Sequence, residues 1–236
     1  GARAMIAEGI LEDLDMCLGI HLRPIEEAGV GQAISALRHG ALSTITAEIE
    51  GVAAHGGRPH LAKNAVDAIA SIVNAVNAIW VNPSIPASAK VTYINAGGAN
   101  FAAIPGQGEL GIDLRAKTNE VMEELSNKVE NAITSGASTV GCSATIQKIP
   151  GLPAAVYDDE MIKIAEESIR EILGEEGLLG QRGTNGAEDF HEFVKAKPEL
   201  KTTYIGLGCD LVPGLHHPEM QFNKEALVDG VSILGN

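Results

Sequence analysis

The feature that most constrains the fold is a change of hydrophobic periodicity that recurs between residues 42 and 148. Residues 42–51 (LSTITAEIEG) alternate apolar and polar side chains, as a strand with one buried face does. Residues 64–80 place apolar side chains three and four positions apart, which predicts an amphipathic helix. The predicted apolar stripe of this helix is Ala65, Ile69, Val73, Val76 and Trp80.

Two more strands, a second helix and a last strand complete this segment. Thr118 is a suitable N-cap for the second helix, because its hydroxyl can accept a backbone N–H of the first turn. The order strand, helix, strand, strand, helix, strand is that of the ferredoxin-like split βαβ unit. We therefore predict a compact inner domain over residues 40–150, with its remaining elements at residues 90–95, 107–115, 118–135 and 140–148.

The flanking segments predict an outer α/β domain built from two pieces, residues 1–39 and 151–236. Residues 16–22 (MCLGIHL) form a short apolar run, which is typical of a buried strand in a parallel sheet. Pro150-Gly151 marks the end of the inserted domain. The other predicted elements are helices at residues 2–10, 158–173, 187–195 and 223–233 and a strand at residues 201–207.

Composition limits the functions open to the chain. Its 236 residues are 45% hydrophobic and 20% charged, which is enough for one or two folded domains. Aromatic residues make up only 3% and the formal net charge is -14, so nucleic-acid binding is disfavoured. No apolar run has the length of a membrane span, and the three cysteines form no CxxC pair. We expect a cytoplasmic protein that binds neither nucleic acid nor membrane.

Seven histidines are the main chemical signal, and a metal site would have to be assembled from distant segments. His21 ends the predicted buried strand, at the edge where ligands gather in open α/β sheets. A neutral imidazole there can bind zinc, manganese or cobalt. On this segment alone, however, a core histidine bonded to a backbone carbonyl is the favoured interpretation.

The adjacent His216 and His217 lie in a predicted loop, where neighbouring side chains point in opposite directions. One of them can therefore face a metal while the other faces solvent or a carboxylate. A surface turn explains the pair as well.

Three further side chains can serve a site or serve only the fold. His55 lies in a glycine-rich loop and can hold a polarised carbonyl oxygen, or the loop can be a simple turn before the helix. Glu188 can lie near a metal, or can favour a helix N-terminus through its charge. Arg115 can bind a substrate carboxylate, or can pair with Asp113 at the surface.

Taken together and in this order, these segments resemble the metal-dependent amidohydrolase and peptidase family of carboxypeptidase G, aminoacylases and succinyl-diaminopimelate desuccinylase. The resemblance is strongest to the branch with indole-acetyl-amino-acid hydrolases and aminobenzoyl-glutamate hydrolase, and it covers essentially the whole chain. It is carried by GARAMIAEGIL at residues 1–11, LGIHLRP at 18–24, AHGGRPHLAKNAVDAI at 54–69, GG…IPG…DLRA at 97–116, GAEDF at 186–190 and GLHHPEMQF at 214–222.

The resemblance implies a zinc-exopeptidase-like α/β/α sandwich, incomplete in this chain, with an inserted ferredoxin-like βαββαβ lid that dimerises. It also implies two divalent metal ions in the complete enzyme, either zinc, manganese or cobalt. His21 corresponds to a ligand of one metal and His216 to a ligand of the other. Glu188 corresponds to an acidic residue close to the site.

The resemblance further implies roles for residues of the lid. His55 corresponds to a catalytic histidine that reaches the active site of the partner subunit and contacts the substrate carbonyl. Arg115 corresponds to an arginine associated with the substrate carboxylate. Relatives carry an asparagine where this chain has Ala102, so either Asn100 replaces that substrate contact from a shifted loop or the contact is missing.

The implied reaction is hydrolysis of the amide bond of an N-acyl-amino acid or a small peptide, in an active site shared by two subunits of a homodimer. In this family a Cys-Gly-His-Asp segment and a Glu-Glu pair precede the first helix and supply metal ligands and the general base, and neither is found ahead of the predicted helix at residues 2–10. We therefore expect this chain by itself to bind metal weakly and to be inactive. A non-catalytic remnant that dimerises or binds a ligand is the alternative, and an unrelated α/β binding module would require the motif order to be coincidental.

Overall fold

The computed structural model describes residues 1–236, which divide into an outer unit, Gly1–Gly40 with Ala155–Asn236, and an inner unit, Ala41–Ala154. The strands are β1 (Met16–Pro24), β2 (Ala33–Ile34), β3 (Ala36–Arg38), β4 (Ala41–Glu50), β5 (Ala54–His55), β6 (Ala87–Ala96), β7 (Ala103–Ile104), β8 (Gln107–Ala116), β9 (Ser143–Leu152), β10 (Gln181–Gly183) and β11 (Lys201–Leu211). The α-helices are α1 (Ala2–Ala7), α2 (Ala65–Asn77), α3 (Asn119–Ser138), α4 (Asp159–Leu173), α5 (Glu192–Ala196) and α6 (Ala226–Gly235).

The inner unit is an antiparallel four-stranded sheet in the order β6-β8-β4-β9, with α2 and α3 packed on one face. Strand β4 shows why one face is covered: Ile45 and Ile49 are buried, whereas Glu48 and Glu50 are exposed. The buried residues pack against apolar side chains of both helices. The predicted order of strand, helix, strand, strand, helix, strand is therefore present.

The sequence placed the end of the first inner helix incorrectly. Helix α2 begins after Asn64, whose side chain accepts the N–H of Val66, and it ends at Asn77. Trp80 lies beyond the helix and is 78% exposed, so it is not part of the buried stripe as predicted. The buried face is formed instead by Ala65, Ala68, Ile69, Ile72 and Val76.

The outer unit contains a three-stranded sheet in the order β1-β11-β2, in which β1 and β11 are parallel. Both faces of β11 are covered. Tyr204 packs in a cluster with Phe190 and Phe193, while Ile205 and Leu207 pack with residues of α4 and α6. Covering on both faces explains why nearly every residue of this strand is buried, rather than every second one.

Several short elements of the outer unit have no periodic signal. Strands β3 and β10 pair in parallel over three residues each, and β2 has only two residues. Such lengths are too short for an alternating pattern, so the sequence predicted no strands there. Helix α1 is shorter than predicted, because Gly9 has a φ of 82° and takes the chain out of the helix. No helix of the structure is long and apolar enough to cross a membrane.

The contact between α2 and α3 depends on Gly136. A Cβ atom at this position would lie 2.7 Å from Cγ1 of Ile72 and 2.9 Å from the Ile72 backbone. Ile72 is fully buried in the core of the inner unit, so it has little room to move.

We expect Gly136→Ala to lower the free energy of unfolding by about 1–3 kcal/mol, the usual cost of overpacking a core, despite the higher helix propensity of alanine. Urea unfolding followed by circular dichroism measures the change. Ser135→Ala, at an exposed position of the same helix, is the control and should stay within about 0.5 kcal/mol of the wild type. A Gly136→Ala protein as stable as the wild type would contradict the close approach.

Candidate functional site

His21 lies near the carboxyl end of β1, where it is opposite Gly206 of β11. Its Nδ1 donates a hydrogen bond of 2.8 Å to the carbonyl oxygen of Leu22. With the proton fixed on Nδ1, the Nε2 lone pair of the neutral ring is left available. This arrangement, in which one ring nitrogen is bound to a carbonyl, is the usual one for a histidine that ligates a metal. It also satisfies the simpler interpretation of a histidine bonded to the backbone.

The surroundings of Gly19 show which face of β1 carries the side chain of His21. A side chain at Gly19 would collide with the ring of Tyr204, and a Cβ there would lie 3.2 Å from Phe190. Residues two apart on a strand share a face, so His21 lies on the same face as these rings. Glu188, which directly accepts a hydrogen bond from Tyr204, is associated with this face as well.

Glu188 is held by two hydrogen bonds. One carboxylate oxygen accepts the backbone N–H of Asp189 at 3.0 Å, and the other accepts the Tyr204 hydroxyl at 3.2 Å. Burial, and then the negative charge of Glu188, raise the pKa of Tyr204 well above its usual value. Tyr204 therefore stays protonated and remains a donor. The carboxylate caps the short 3₁₀ helix Asp189–His191, so the helix-terminus role considered from the sequence is present.

His39 and His191 form a buried pair next to Tyr204, the residue that donates to Glu188. The sequence analysis did not predict this pair. Nε2 of His191 is 3.0 Å from Nδ1 of His39, with the two residues 1% and 4% exposed. The ring of Tyr204 meets His39 edge-on at 5.2 Å. Two histidines 152 positions apart carry no local pattern, so only the fold reveals the pair.

Protonation of His191 is unfavourable. Burial lowers the pKa of His191 from 6.5 to about 4, although Asp189 opposes the shift. The Nδ1 atom of His191 is buried without a hydrogen-bond partner. A charged imidazole in this place would need to donate from both nitrogens, so the neutral form is required for the native packing.

The His216-His217 pair lies in an exposed loop after β11, closed by bridging between Val212 and Gln221. Nδ1 of His217 accepts the N–H of Glu219 at 3.1 Å, which places the proton of its neutral ring on Nε2. His217 is therefore poorly prepared to ligate a metal. The side chain of His216 has no such partner, and its φ of 62° is unusual for a residue other than glycine.

The described residues do not complete a metal centre. No group of three or more histidine, cysteine, aspartate or glutamate side chains is placed to hold a metal ion. Strands β1 and β11 are parallel and end at the same edge of the sheet, so His21 and the loop of His216 belong to that edge. Two imidazoles fall short of the three or four protein ligands that a zinc ion takes. The residues present therefore do not fit the metals by themselves.

His55 lies in the inner unit, in the short strand β5, and is exposed. Its Nδ1 accepts the N–H of Gly57 at 3.0 Å. In the neutral ring the proton is therefore on Nε2. This nitrogen can donate a hydrogen bond but has no lone pair free to accept one. A carbonyl oxygen that gains negative charge is stabilised by such a donor.

Asn100 lies in the loop opposite His55. Strand β5 pairs with β7, so that His55 is opposite Ala103, and the Gly56 N–H donates to the Ala102 carbonyl at 2.6 Å. The side-chain oxygen of Asn100 accepts the N–H of Ala102 at 3.1 Å. Asn100 therefore stabilises its own turn through its oxygen, and its amide N–H₂ group remains for a ligand.

Arg115 lies on β8, where its guanidinium forms two hydrogen bonds, of 2.9 and 3.2 Å, with the carboxylate of Asp113. Both side chains are partly exposed, at 48% and 34%. The surface pairing considered from the sequence is thus present. An exposed pair of this kind is weak, so a substrate carboxylate can compete with Asp113 for the arginine.

Comparison with known proteins shows what the inner unit resembles. Residues 37–139 match the family model described as the peptidase dimerisation domain. These residues are therefore similar to the dimerisation domain of peptidases. The resemblance drawn from the sequence motifs is confirmed, since relatives of this chain include amidohydrolases of the expected kind.

Two of these relatives are curated enzymes. This chain is 26% identical over 241 residues to an IAA-amino acid hydrolase of Arabidopsis thaliana, covering 99% of this chain and 54% of that protein. It is also 26% identical over 238 residues to hippurate hydrolase of Campylobacter jejuni, covering 98% of this chain and 61% of the relative. The chain therefore spans less than two thirds of the length of these proteins.

The fold is shared with a solved M20 structure. A dinuclear metal-binding peptidase of Bacillus subtilis superposes with a TM-score of 0.79 at 20% sequence identity, covering 99% of this chain and 59% of that one. The expected α/β fold class is confirmed. An unrelated α/β module is not supported.

The histidine pair predicts how stability depends on pH. Between pH 6.5 and about 4, His191 binds a proton in the unfolded protein but not in the folded one. The free energy of unfolding therefore decreases as the pH falls below 6.5. The contribution is about 3 kcal/mol across this window. In urea unfolding at pH 7.0 and pH 4.5, we expect His191→Gln to lose less stability on acidification than the wild type. His60→Gln, at an exposed histidine, should behave as the wild type does. An identical pH dependence in all three proteins would contradict the prediction.

Proposed function

We propose that this chain carries part of the active site of an amidohydrolase that cleaves the amide bond of N-acyl-amino acids or small peptides. The observation that carries the proposal is the fixed tautomer of His55. Because Gly57 donates to Nδ1, the neutral ring presents an Nε2–H donor. Such a donor can stabilise the oxyanion that forms on the amide carbonyl during hydrolysis.

Other features of the inner unit support a substrate with a carboxylate. Arg115 is a cation whose present partner, Asp113, is partly exposed and can be exchanged. The amide of Asn100 offers a further donor beside His55. The relatives named as hydrolases of IAA-amino acids and hippurate act on molecules that combine an acyl group with an amino acid.

We propose that His21 and His216 each supply one imidazole to a centre of two divalent metal ions, either zinc, manganese or cobalt. The support is the available Nε2 of His21 and the unpartnered ring of His216. The remaining ligands must come from outside these 236 residues, because the residues described hold no complete ligand group. We accordingly expect this chain alone to be inactive and weakly occupied by metal.

The proposal includes a homodimer in the cytoplasm. The peptidase dimerisation domain over residues 37–139 supports self-association. The three cysteines are all free, which suits a reducing compartment.

A second candidate function is a non-catalytic protein that dimerises or binds a ligand. The absence of any complete metal-ligand group among residues 1–236 favours it. The two candidates differ in metal content and in turnover.

Metal content and turnover decide between these functions. We expect protein expressed from the complete native gene to contain about two metal ions per chain, as the dinuclear centre requires, and to hydrolyse N-benzoylglycine. Intact mass, N-terminal sequencing and plasma mass spectrometry are measured on one sample. The 236-residue chain, prepared in parallel, should show no stoichiometric metal. A native product without metal or hydrolysis, but dimeric, would support the non-catalytic function. Hydrolysis by the pure 236-residue chain would refute its expected inactivity.

His55→Ala tests the oxyanion role in the protein from the complete gene. Because alanine has no side-chain donor, loss of the Nε2–H should lower kcat about 10²–10³-fold with little change in KM, since the bond strengthens only as charge develops on the oxygen. His60→Ala, at a nearby exposed histidine, is the matched control and should retain activity. An equal loss in both variants would point to a structural effect of the loop instead.

A further inference from the structure

Phe101 is the most exposed large apolar side chain of the protein. It is 97% exposed, compared with 78% for Trp80 and 72% for Val231. Burial of a phenyl ring that is exposed to water is favourable. A ligand that covers the Phe101 ring therefore gains binding free energy.

The exposed position of Phe101 is fixed by its neighbours. On one side, Asn100 accepts two backbone N–H groups, from Ala102 through its side chain and from Ala103 through its carbonyl, each at 3.1 Å. On the other side, the Ala102 carbonyl accepts the Gly56 N–H. Phe101 therefore lies at the tip of a hydrogen-bonded turn. A rigid aromatic ring binds a ligand with a small loss of conformational entropy.

The turn lies beside the group proposed to bind the substrate carbonyl. Ala103, two positions after Phe101, is opposite His55 in the β5–β7 pair. The same loop lines an open depression of about 540 Å³. No charged side chain lines this depression, whose residues are Gly51, Ala53, Gly97, Gly98, Asn100, Ala103, Ile104, Pro105, Gly106 and Gln107.

The residues that line this depression indicate whether it suits the carboxylate or the acyl group of a substrate. A carboxylate needs a cation or several donors, whereas an uncharged acyl group is suited to small, neutral walls. Phe101 is not one of the lining residues, but it directly follows Asn100, which is. The acyl substituent is bonded directly to the carbonyl carbon, so a carbonyl held by His55 brings this substituent to the neighbouring turn.

We propose that Phe101 is a specificity-determining residue that covers the acyl group of an N-acyl-amino acid and selects large apolar acyl groups over acetyl. The choice of ligand rests on the proposed function, and the surface itself rests on the geometry of the turn. Aromatic rings stack or meet edge-on with additional stabilisation, so benzoyl is the best probe of this surface.

Equilibrium binding to the 236-residue chain tests the proposal without turnover. Titration calorimetry with N-benzoylglycine and N-acetylglycine should show tighter binding of the benzoyl compound. Phe101→Ala should weaken N-benzoylglycine about tenfold and N-acetylglycine less than about twofold. Trp80→Ala, which removes another exposed aromatic ring of the inner unit, should change neither. No benzoyl preference in the wild type, or an equal effect of both substitutions, would overturn the proposal.

Two further measurements separate this proposal from its alternatives. If N-benzoylglycine binding depends on Phe101 but protein from the complete gene hydrolyses no N-acyl-amino acid, the proposed function fails and the binding site stands. If hydrolysis proceeds and Phe101→Ala leaves the benzoyl-to-acetyl ratio of kcat/KM unchanged, the specificity role fails alone.

Sedimentation of the same variants shows whether Phe101 serves self-association. A dimer lost in Phe101→Ala with unchanged ligand preference would assign the ring to an interface and overturn the proposal.

Discussion

The parallel pairing of β1 with β11 is the contact on which the outer unit depends. Residues Met16 to Arg23 pair in continuous register with Lys201 to Gly208. The two strands are separated in sequence by the whole inner unit, and the chain must cross back to the edge at which β1 begins before β11 can run parallel to it. Because parallel strands end at the same edge, this pairing assigns His21 and the His216 loop to one side of the sheet. The candidate metal ligands therefore share an edge only because β1 and β11 are neighbours.

Beside this sheet, Tyr204, His39 and His191 form a cluster of buried polar rings. Tyr204 of β11 stays protonated and donates to Glu188, and its ring packs against His39. His191 contacts His39 and stays neutral, because burial disfavours the charged form of the His191 ring. The native packing against the sheet therefore requires a neutral His191 and a protonated Tyr204. An acidic residue close to a site gains a fixed orientation from such a support.

Sequence patterns were most informative where one face of an element is buried over several turns or residues. The alternation in β4 and the capped start of α3 at Thr118 both follow from local chemistry, and both elements were predicted within a few residues. Trp80 was assigned to the wrong environment, because apolar character alone does not indicate where a helix ends. Strands β2, β3 and β10 were missed, because two or three residues cannot show a period.

The sequence by itself determined the fold class, the order of elements in the inner unit and the residue types available for chemistry, because periodicity, caps and motifs act over a few neighbouring positions. Only the tertiary structure decided which nitrogen of His21 and of His55 carries the proton, since that depends on the backbone group each ring meets. It also decided that His39 and His191 touch and that Phe101 stands fully exposed on a fixed turn. These outcomes depend on contacts between residues distant in sequence, or on turn geometry, and neither leaves a periodic trace in the chain.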